Sequence, residues 1–86
     1  MKFKISKFEN SKYTYFFYLK SNNDFDCYSN LSIAKYLDMS YNQLFSIVNK
    51  YNIEMISGEC YFNTYNDCKN CVEELEPYLV MKELTK

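Results

Sequence analysis

The stretch that decides the fold is NLSIAKYLDMSYNQLFSIVNKY, residues 30–51. It carries two apolar stripes at helical spacing with Asp38 as a turn residue between them. The stripes consist of Leu31, Ile33, Ala34 and Leu37, and, after Met39, of Leu44, Ile47, Val48 and Tyr51. Ala34, the only alanine, stands where a longer side chain would push two crossing helices apart. Ser40 can cap the second helix by accepting a backbone N–H. The pattern predicts a helix-turn-helix, with a helical hairpin unrelated to DNA as the alternative.

The segments on either side of this stretch predict two β-hairpins and more helix. Residues 53–56 and 59–62 are short apolar-rich runs around Ser57 and Gly58, and the single glycine supplies the positive φ of a tight turn. Asn63 or Thr64 can cap a further helix, and Pro77 is expected to begin a separate last segment at residues 77–84. The helix that follows Asn63 or Thr64 is expected to bury a face with Tyr65, Cys68, Val72 and Leu75. Ahead of residue 30, two aromatic-rich runs at 2–8 and 13–20 predict an N-terminal hairpin, followed by a polar connector at 21–29.

These elements predict an α+β fold, a winged helix-turn-helix with an N-terminal β-hairpin, in a single domain over residues 1–86. Its parts are the N-terminal hairpin at 1–20, the helix-turn-helix at 29–51, the wing at 53–62 and the C-terminal helices at 64–84. The chain resembles winged-helix DNA-binding domains of excisionase and MerR type. The residues that carry the resemblance are Ile33-Ala34, Asp38, Met39-Ser40, Leu44 and Ile47-Val48. That family usually has glycine at the turn, but Asp tolerates the left-handed conformation better than most residues.

The resemblance implies a sequence-specific protein that binds double-stranded DNA. Ten lysines, ten asparagines and ten tyrosines, with no arginine, histidine or tryptophan, are typical of AT-rich coding and favour a mobile element as the source. The architecture and composition resemble relaxosome accessory factors that recognise the origin of transfer in plasmid conjugation. Alternatives within the class are a phage excisionase and a small repressor. A protein-binding module, such as an anti-repressor or inhibitor, is the alternative outside it.

Charge is distributed unevenly along the chain. The net charge is −1, which opposes nucleic-acid binding, since such binding neutralises phosphates. Residues 1–22, however, hold five lysines and one glutamate, whereas residues 53–86 hold seven acids and three lysines. The sequence therefore predicts a basic face near the N-terminus and an acidic face near the C-terminus.

The candidate DNA-binding residues lie on three elements. Polar side chains on the outward face of the second helix could read base edges, and one lysine there could meet a phosphate. Lysines of the N-terminal hairpin are better candidates for phosphate contacts, because the wing carries Glu54 and Glu59 and could approach only through its tip. The full set is Lys2, Lys4, Lys12, Tyr41, Asn42, Gln43, Ser46, Asn49, Lys50, Ser57 and Gly58.

The sequence offers no pattern for catalysis, so no enzyme activity and no cofactor are expected. It contains no histidine for general-base chemistry and no glycine-rich phosphate loop. Cys68 and Cys71 share a helix face, but Cys27 and Cys60 lie far away in sequence and no second ligand pair exists, so we expect buried thiols and no metal. No apolar run is long enough for a membrane span and no signal-peptide pattern is present, so a cytoplasmic protein is expected.

Aromatic residues on both faces of the second predicted strand suggest a further contact. Phe16 and Tyr18 alternate with Tyr13, Tyr15 and Phe17, so one set is expected to pack on the helices and the other to meet a partner or simply close the sheet. A homodimer is expected, because one weakly basic module binds DNA poorly alone. Its contact would use this aromatic face or residues Tyr78, Leu79 and Met81. Other DNA-processing proteins are further possible partners.

Overall fold

The computed structural model describes residues 1–9, 12–23 and 25–85. Along the chain these residues form strands and helices in the order β1 (Lys2–Lys7), β2 (Tyr15–Lys20), α1 (Asn30–Tyr36), α2 (Tyr41–Val48), β3 (Ile53–Ile56), β4 (Glu59–Phe62) and α3 (Tyr65–Leu84). The predicted α+β class is confirmed, as are both hairpins and the first two helices. The centre of the predicted N-terminal turn, Asn10 and Ser11, lies outside the described residues.

The two hairpins merge into one antiparallel sheet in the order β1-β2-β4-β3. β1 and β2 pair over their full length, whereas β2 and β4 are joined at the Tyr15–Phe62 pair and by a hydrogen bond from Thr14 N–H to the Phe62 carbonyl, 3.0 Å. Beyond that pair, the connector runs beside β2. The backbone N–H of Leu19 donates to the Cys27 carbonyl, and the Cys27 N–H donates to the Leu19 carbonyl. The predicted wing is thus part of a continuous four-stranded sheet.

One face of the sheet packs on the helices and forms the core. Phe17, Leu19, Cys60 and Phe62 are buried on this inner face, and α3 crosses β1, β2 and β4. Period-two alternation in the strands leaves the residues between them on the face opposite to the helices of the described residues. We call this opposite side the open face.

α1, the turn at Asp38 and α2 form where the sequence predicts them. The Ser40 hydroxyl accepts from Gln43 N–H, and the Gln43 side chain accepts from Ser40 N–H, so both halves of a capping box start α2. Asp38 adopts a left-handed φ of 57°, and Met39 N–H donates to the Ala34 carbonyl at 2.9 Å across the turn. Ala34 is buried, as expected for a close helix crossing. Leu31, however, is 66% exposed and does not belong to the predicted apolar stripe, because it faces away from α2.

The β3–β4 hairpin turns through two left-handed residues. Ser57 has φ 52° and Gly58 has φ 81°, the conformation of a type I′ turn, which matches the twist of the flanking strands. The sequence argument assigned the positive φ to the glycine alone. Gly58 also holds α1 in place, since its carbonyl accepts from Asn30 N–H at 2.9 Å.

The prediction of two C-terminal helices is wrong. Residues Tyr65–Leu84 form one helix, capped by Thr64, with Pro77 inside it. An interior proline costs about 3 kcal/mol, because it removes a backbone hydrogen bond and its ring presses on the preceding turn. Leu75 and Leu79, on either side of it, are both buried, and each buried leucine contributes about 1.5–3 kcal/mol. Since Pro77 itself faces solvent, core packing outweighs the local defect and the helix continues.

The predicted buried face of α3 is confirmed in part. Cys68, Val72 and Leu75 are buried as expected, whereas Tyr65 is 50% exposed and contacts Tyr15 edge-on at the sheet border. All four cysteines are buried. They are among the smallest apolar side chains available, and here they fill positions between the sheet and the helices.

Candidate nucleic-acid interface

The outward face of α2 and the two residues that follow it carry the predicted polar side chains, but α2 ends at Val48, so Asn49 is its C-cap and Lys50 lies beyond the helix. All six are exposed, namely Tyr41, Asn42, Gln43, Ser46, Asn49 and Lys50. Three of them are already engaged locally. Gln43 Oε1 accepts from Ser40 N–H at 2.9 Å, Ser46 Oγ donates to the Gln43 carbonyl at 2.9 Å, and the Tyr41 ring stacks on Phe45. Asn42, in the first turn of α2, is exposed and offers its carboxamide for a base edge.

Lys50, the one basic residue on that face, is held by an acid from α3. Its Nζ donates to Glu74 Oε1, and the Tyr51 hydroxyl donates to Glu74 Oε2. The bond from Lys50, followed by that from Tyr51, lowers the pKa of Glu74, so this carboxylate stays charged. Burial and the bond to Glu74 raise the pKa of Tyr51. The outward face of α2 is therefore close to electrically neutral.

The β3–β4 hairpin, which is the predicted wing, carries negative charge beside its turn. Glu54 is exposed, and Glu59 is half-buried with a pKa raised by desolvation. Ser57 and Gly58 are exposed at the turn, but the Gly58 carbonyl is committed to α1. The predicted obstacle to a minor-groove contact by the wing is thus present in the structure.

Three lysines converge at one end of the open face. In the β1–β2 register Lys2 lies opposite Lys20, and Lys4 lies opposite Tyr18, so these side chains share the open face. They line a cleft of about 320 Å³ together with Met1, Ser21 and Asn22. Lys20 Nζ lies 3.6 Å from Asp26 Oδ2, whereas Lys2 and Lys4 form no ion pair within the described residues. Lys20 was not among the predicted site residues.

Lys12, in contrast, is not part of this lysine cluster. It is exposed at the turn end of the hairpin, where its Nζ lies 5.3 Å from the centre of the Tyr13 ring. The strands between Lys2 and Lys7 separate the two ends by roughly 17 Å. The structure therefore brings Lys2 and Lys4 together and keeps Lys12 apart.

A row of five aromatic rings crosses the open face beside the lysines. Ring centres are 5.9 Å apart for Phe8 and Tyr61, 5.4 Å for Tyr61 and Phe16, and 6.1 Å for Phe16 and Tyr18. Tyr18 and Tyr28 stack with centres 4.8 Å apart and planes 15° apart. Strand alternation could reveal Phe16 and Tyr18, but the other three rings come from other segments and required the tertiary structure.

The cysteines form no reactive or metal-binding centre among the described residues. Burial raises the pKa of all four thiols, to about 12 at Cys60 and Cys68, so each is protonated near neutral pH and a poor nucleophile. No group of three or more cysteine, aspartate or glutamate side chains in the described ranges could hold a metal ion. Over the same ranges, no helix is long and apolar enough to cross a membrane.

Comparisons with family models, with curated proteins and with solved structures yield no match to this chain. The fold itself is a compact α+β domain with a four-stranded antiparallel sheet and, in the described residues, three helices.

Proposed function

We propose that this chain is a non-enzymatic winged helix-turn-helix protein that binds double-stranded DNA. One observation carries the proposal. α1 and α2 meet across a left-handed Asp38 turn, and α2 is started by a full capping box that leaves its polar face exposed. A hairpin and a long helix follow in winged-helix order. A capped, exposed helix of this kind is what a helix-turn-helix inserts into the major groove.

The positions of the lysines determine which elements contact phosphates and which contact bases in this proposal. With Lys50 engaged by Glu74, α2 supplies hydrogen-bonding groups, chiefly Asn42 and Asn49, and little attraction for phosphates. The hairpin lysines Lys2, Lys4 and Lys12 supply that attraction. In this arrangement the hairpin holds the DNA backbone, and α2 or the Ser57-Gly58 tip reads the groove.

The biological setting belongs to the same proposal. Architecture and AT-rich composition resemble TcpK, a relaxosome accessory protein of clostridial conjugative plasmids, which helps recognise the origin of transfer. A role at an origin of transfer would pair this chain with other DNA-processing proteins. A phage excisionase or a small repressor would use the same fold and the same contacts.

The test is a fluorescence-anisotropy titration of labelled duplexes across a salt series. With about four phosphates neutralised per protomer, log affinity should fall against log salt with a slope of roughly −4. Glutamine at Lys2, Lys4 and Lys12 should weaken binding to all duplexes and flatten the slope by nearly one unit each. Lys69→Gln is the matched control, because Lys69 is an exposed lysine on α3. A salt-independent affinity, or no response to the hairpin variants, would exclude the proposed contacts.

A protein-binding module is the second candidate, and one observation favours it. Apolar side chains cluster as exposed groups near the end of α3, namely Tyr78, Val80, Met81 and Leu84, with exposures of 39–76%. Leu79, predicted as part of such a contact, is instead buried in the core. A homodimer could use the same surface. Sedimentation of the chain free and with DNA tests both ideas, and a monomer in each case would exclude the dimer.

A further inference from the structure

We propose that the open face of the sheet binds single-stranded nucleic acid, with bases on the aromatic row and phosphates at the lysine cluster. The aromatic row consists of Phe8, Tyr61, Phe16, Tyr18 and Tyr28, and the lysine cluster of Lys2, Lys4 and Lys20. This inference goes beyond the proposed duplex binding, since the aromatic row is a different surface from the outward face of α2, although Lys2 and Lys4 serve both proposals.

The exposure of the rings shows where a base could stack. Tyr61 is nearly covered by its neighbours, and Phe16 and Tyr18 are half-buried. Phe8 and Tyr28, at the two ends, are 46% and 45% exposed. The accessible rings at the two ends of the row leave apolar surface in contact with water in the free protein, which is unfavourable. A stacking ligand would remove this surface from water.

Charge selects the ligand and its path. The lysine cluster lies at the β1 edge, next to the Tyr18–Tyr28 end of the row, because Lys4 is the cross-strand partner of Tyr18. At the β3 edge, Glu54 is the cross-strand partner of Tyr61. A polyanion is therefore attracted to one edge and repelled from the other. A neutral peptide gains nothing from the lysine cluster, and an acidic peptide without aromatic side chains has nothing to stack on the rings, whereas a nucleic acid strand uses both features.

The preference for a single strand follows from the stacking. In a duplex the bases are paired and stacked on each other, so their flat faces are not available to protein side chains. An unpaired strand can turn its bases onto the rings, and every base has such a face, so binding needs little sequence preference. The ion pair between Lys20 and Asp26 is long, at 3.6 Å, and the Lys20 side chain is half exposed, so a phosphate can replace the carboxylate at Lys20.

The experiment uses the full chain with a labelled 12-nucleotide oligothymidine, which forms no duplex, and a labelled 12-base-pair duplex, both at about 50 mM salt. Tyr28→Ser should weaken oligothymidine binding about fivefold or more and leave duplex binding unchanged, since truncating a ring on which a base stacks costs about 1–3 kcal/mol. Tyr65→Ser is the matched control, because Tyr65 is equally exposed but lies on α3. Circular dichroism verifies that each variant folds.

A second variant separates stacking from charge alone. Lys4→Gln should weaken both ligands, whereas Tyr28→Ser and Phe8→Ser should weaken only oligothymidine. The following results would overturn the inference. These are no binding of oligothymidine by the native chain, equal loss with Tyr65→Ser, or unchanged affinity in both ring variants. A change in sedimentation with Tyr28→Ser but none in oligothymidine affinity would identify the face as a contact between copies and would also overturn it.

Asn42→Ala, which tests duplex binding through α2, leaves this inference untouched, so the two proposals fail separately.

Discussion

Releasing Lys50 from Glu74 is expected to strengthen duplex binding while weakening the fold. In Glu74→Gln the side chain keeps its shape and can still accept from the Tyr51 hydroxyl, but the charge that engages Lys50 is gone. Lys50 is more than half exposed, so the lost ion pair is worth at most about 1 kcal/mol. Replacing a charged by a neutral acceptor at Tyr51 removes a similar amount at most. The unfolding free energy should therefore fall by about 1 kcal/mol.

The gain in affinity comes from one added phosphate contact. A single neutralised phosphate contributes a slope of about −0.9 in log affinity against log salt. If the added contact contributes nothing at 1 M salt, this slope corresponds to roughly eightfold tighter binding at 0.1 M salt. Anisotropy titrations of Glu74→Gln and native chain with the same duplex, between about 0.05 and 0.3 M salt, measure both quantities. Urea denaturation measures the stability change.

Glu73→Gln provides the control for this prediction. It removes the same charge from the neighbouring position of α3, where the side chain points into solvent and does not contact Lys50. At 0.1 M salt the screening length is about 10 Å, so a change of less than twofold in duplex affinity is expected. If Glu74→Gln and Glu73→Gln gave the same affinity and slope, α2 would not face the DNA and the reasoning would be refuted.

Four further predictions concern α2, α3 and the core. Asn42→Ala should cost about 1–3 kcal/mol of duplex binding on the cognate site and relax base preference there, and unchanged selection from a random-sequence pool would contradict it. Ser40→Ala should lower the unfolding free energy by about 1 kcal/mol through loss of the capping box, as measured in urea. Pro77→Ala should raise it by about 1–3 kcal/mol, because a helical hydrogen bond is restored, less the entropy that proline removes from the unfolded chain. A lower melting temperature for Pro77→Ala would show that the proline shapes the helix. The free energy of unfolding should decline above about pH 9. Folding raises the thiol pKa of Cys60 to about 12, so the unfolded chain loses this thiol proton at a lower pH than the folded chain does. Equal urea midpoints at pH 7.5 and pH 10 would contradict this.

The two helices α1 and α2 could be predicted because their determinants are close in sequence. The apolar stripes, the Ser40 cap and the left-handed tolerance of Asp38 act within one or two turns of chain, and the structure shows each of them as expected except for Leu31. The β3–β4 turn is local in the same sense, since Gly58 needs only its neighbours to adopt a positive φ. Local rules fail where a residue sits at the edge of a stripe, as Leu31 does, because its exposure depends on which side α2 approaches.

The candidate site was predicted only as a set of exposed groups. Sequence periodicity located the outward residues of α2, and strand alternation suggested that Phe16 and Tyr18 share a face. The sequence pattern could not show that Glu74, twenty-four positions along the chain, neutralises Lys50, the one basic residue next to the end of α2. Nor could it show that Lys20 joins Lys2 across β1 and β2 while Lys12 lies at the far end.

Short-range chemistry in the sequence thus determined the elements, since caps, turns and apolar periods depend on interactions within a few residues. The tertiary structure decided what those elements do together. It merged two hairpins into one sheet through the Tyr15–Phe62 pair, continued α3 through Pro77, and assembled the aromatic row from four segments of the chain. The physical reason is the same in each case. Burial of apolar surface is non-local, and where it brings distant segments together it outweighs local preferences worth only a few kcal/mol.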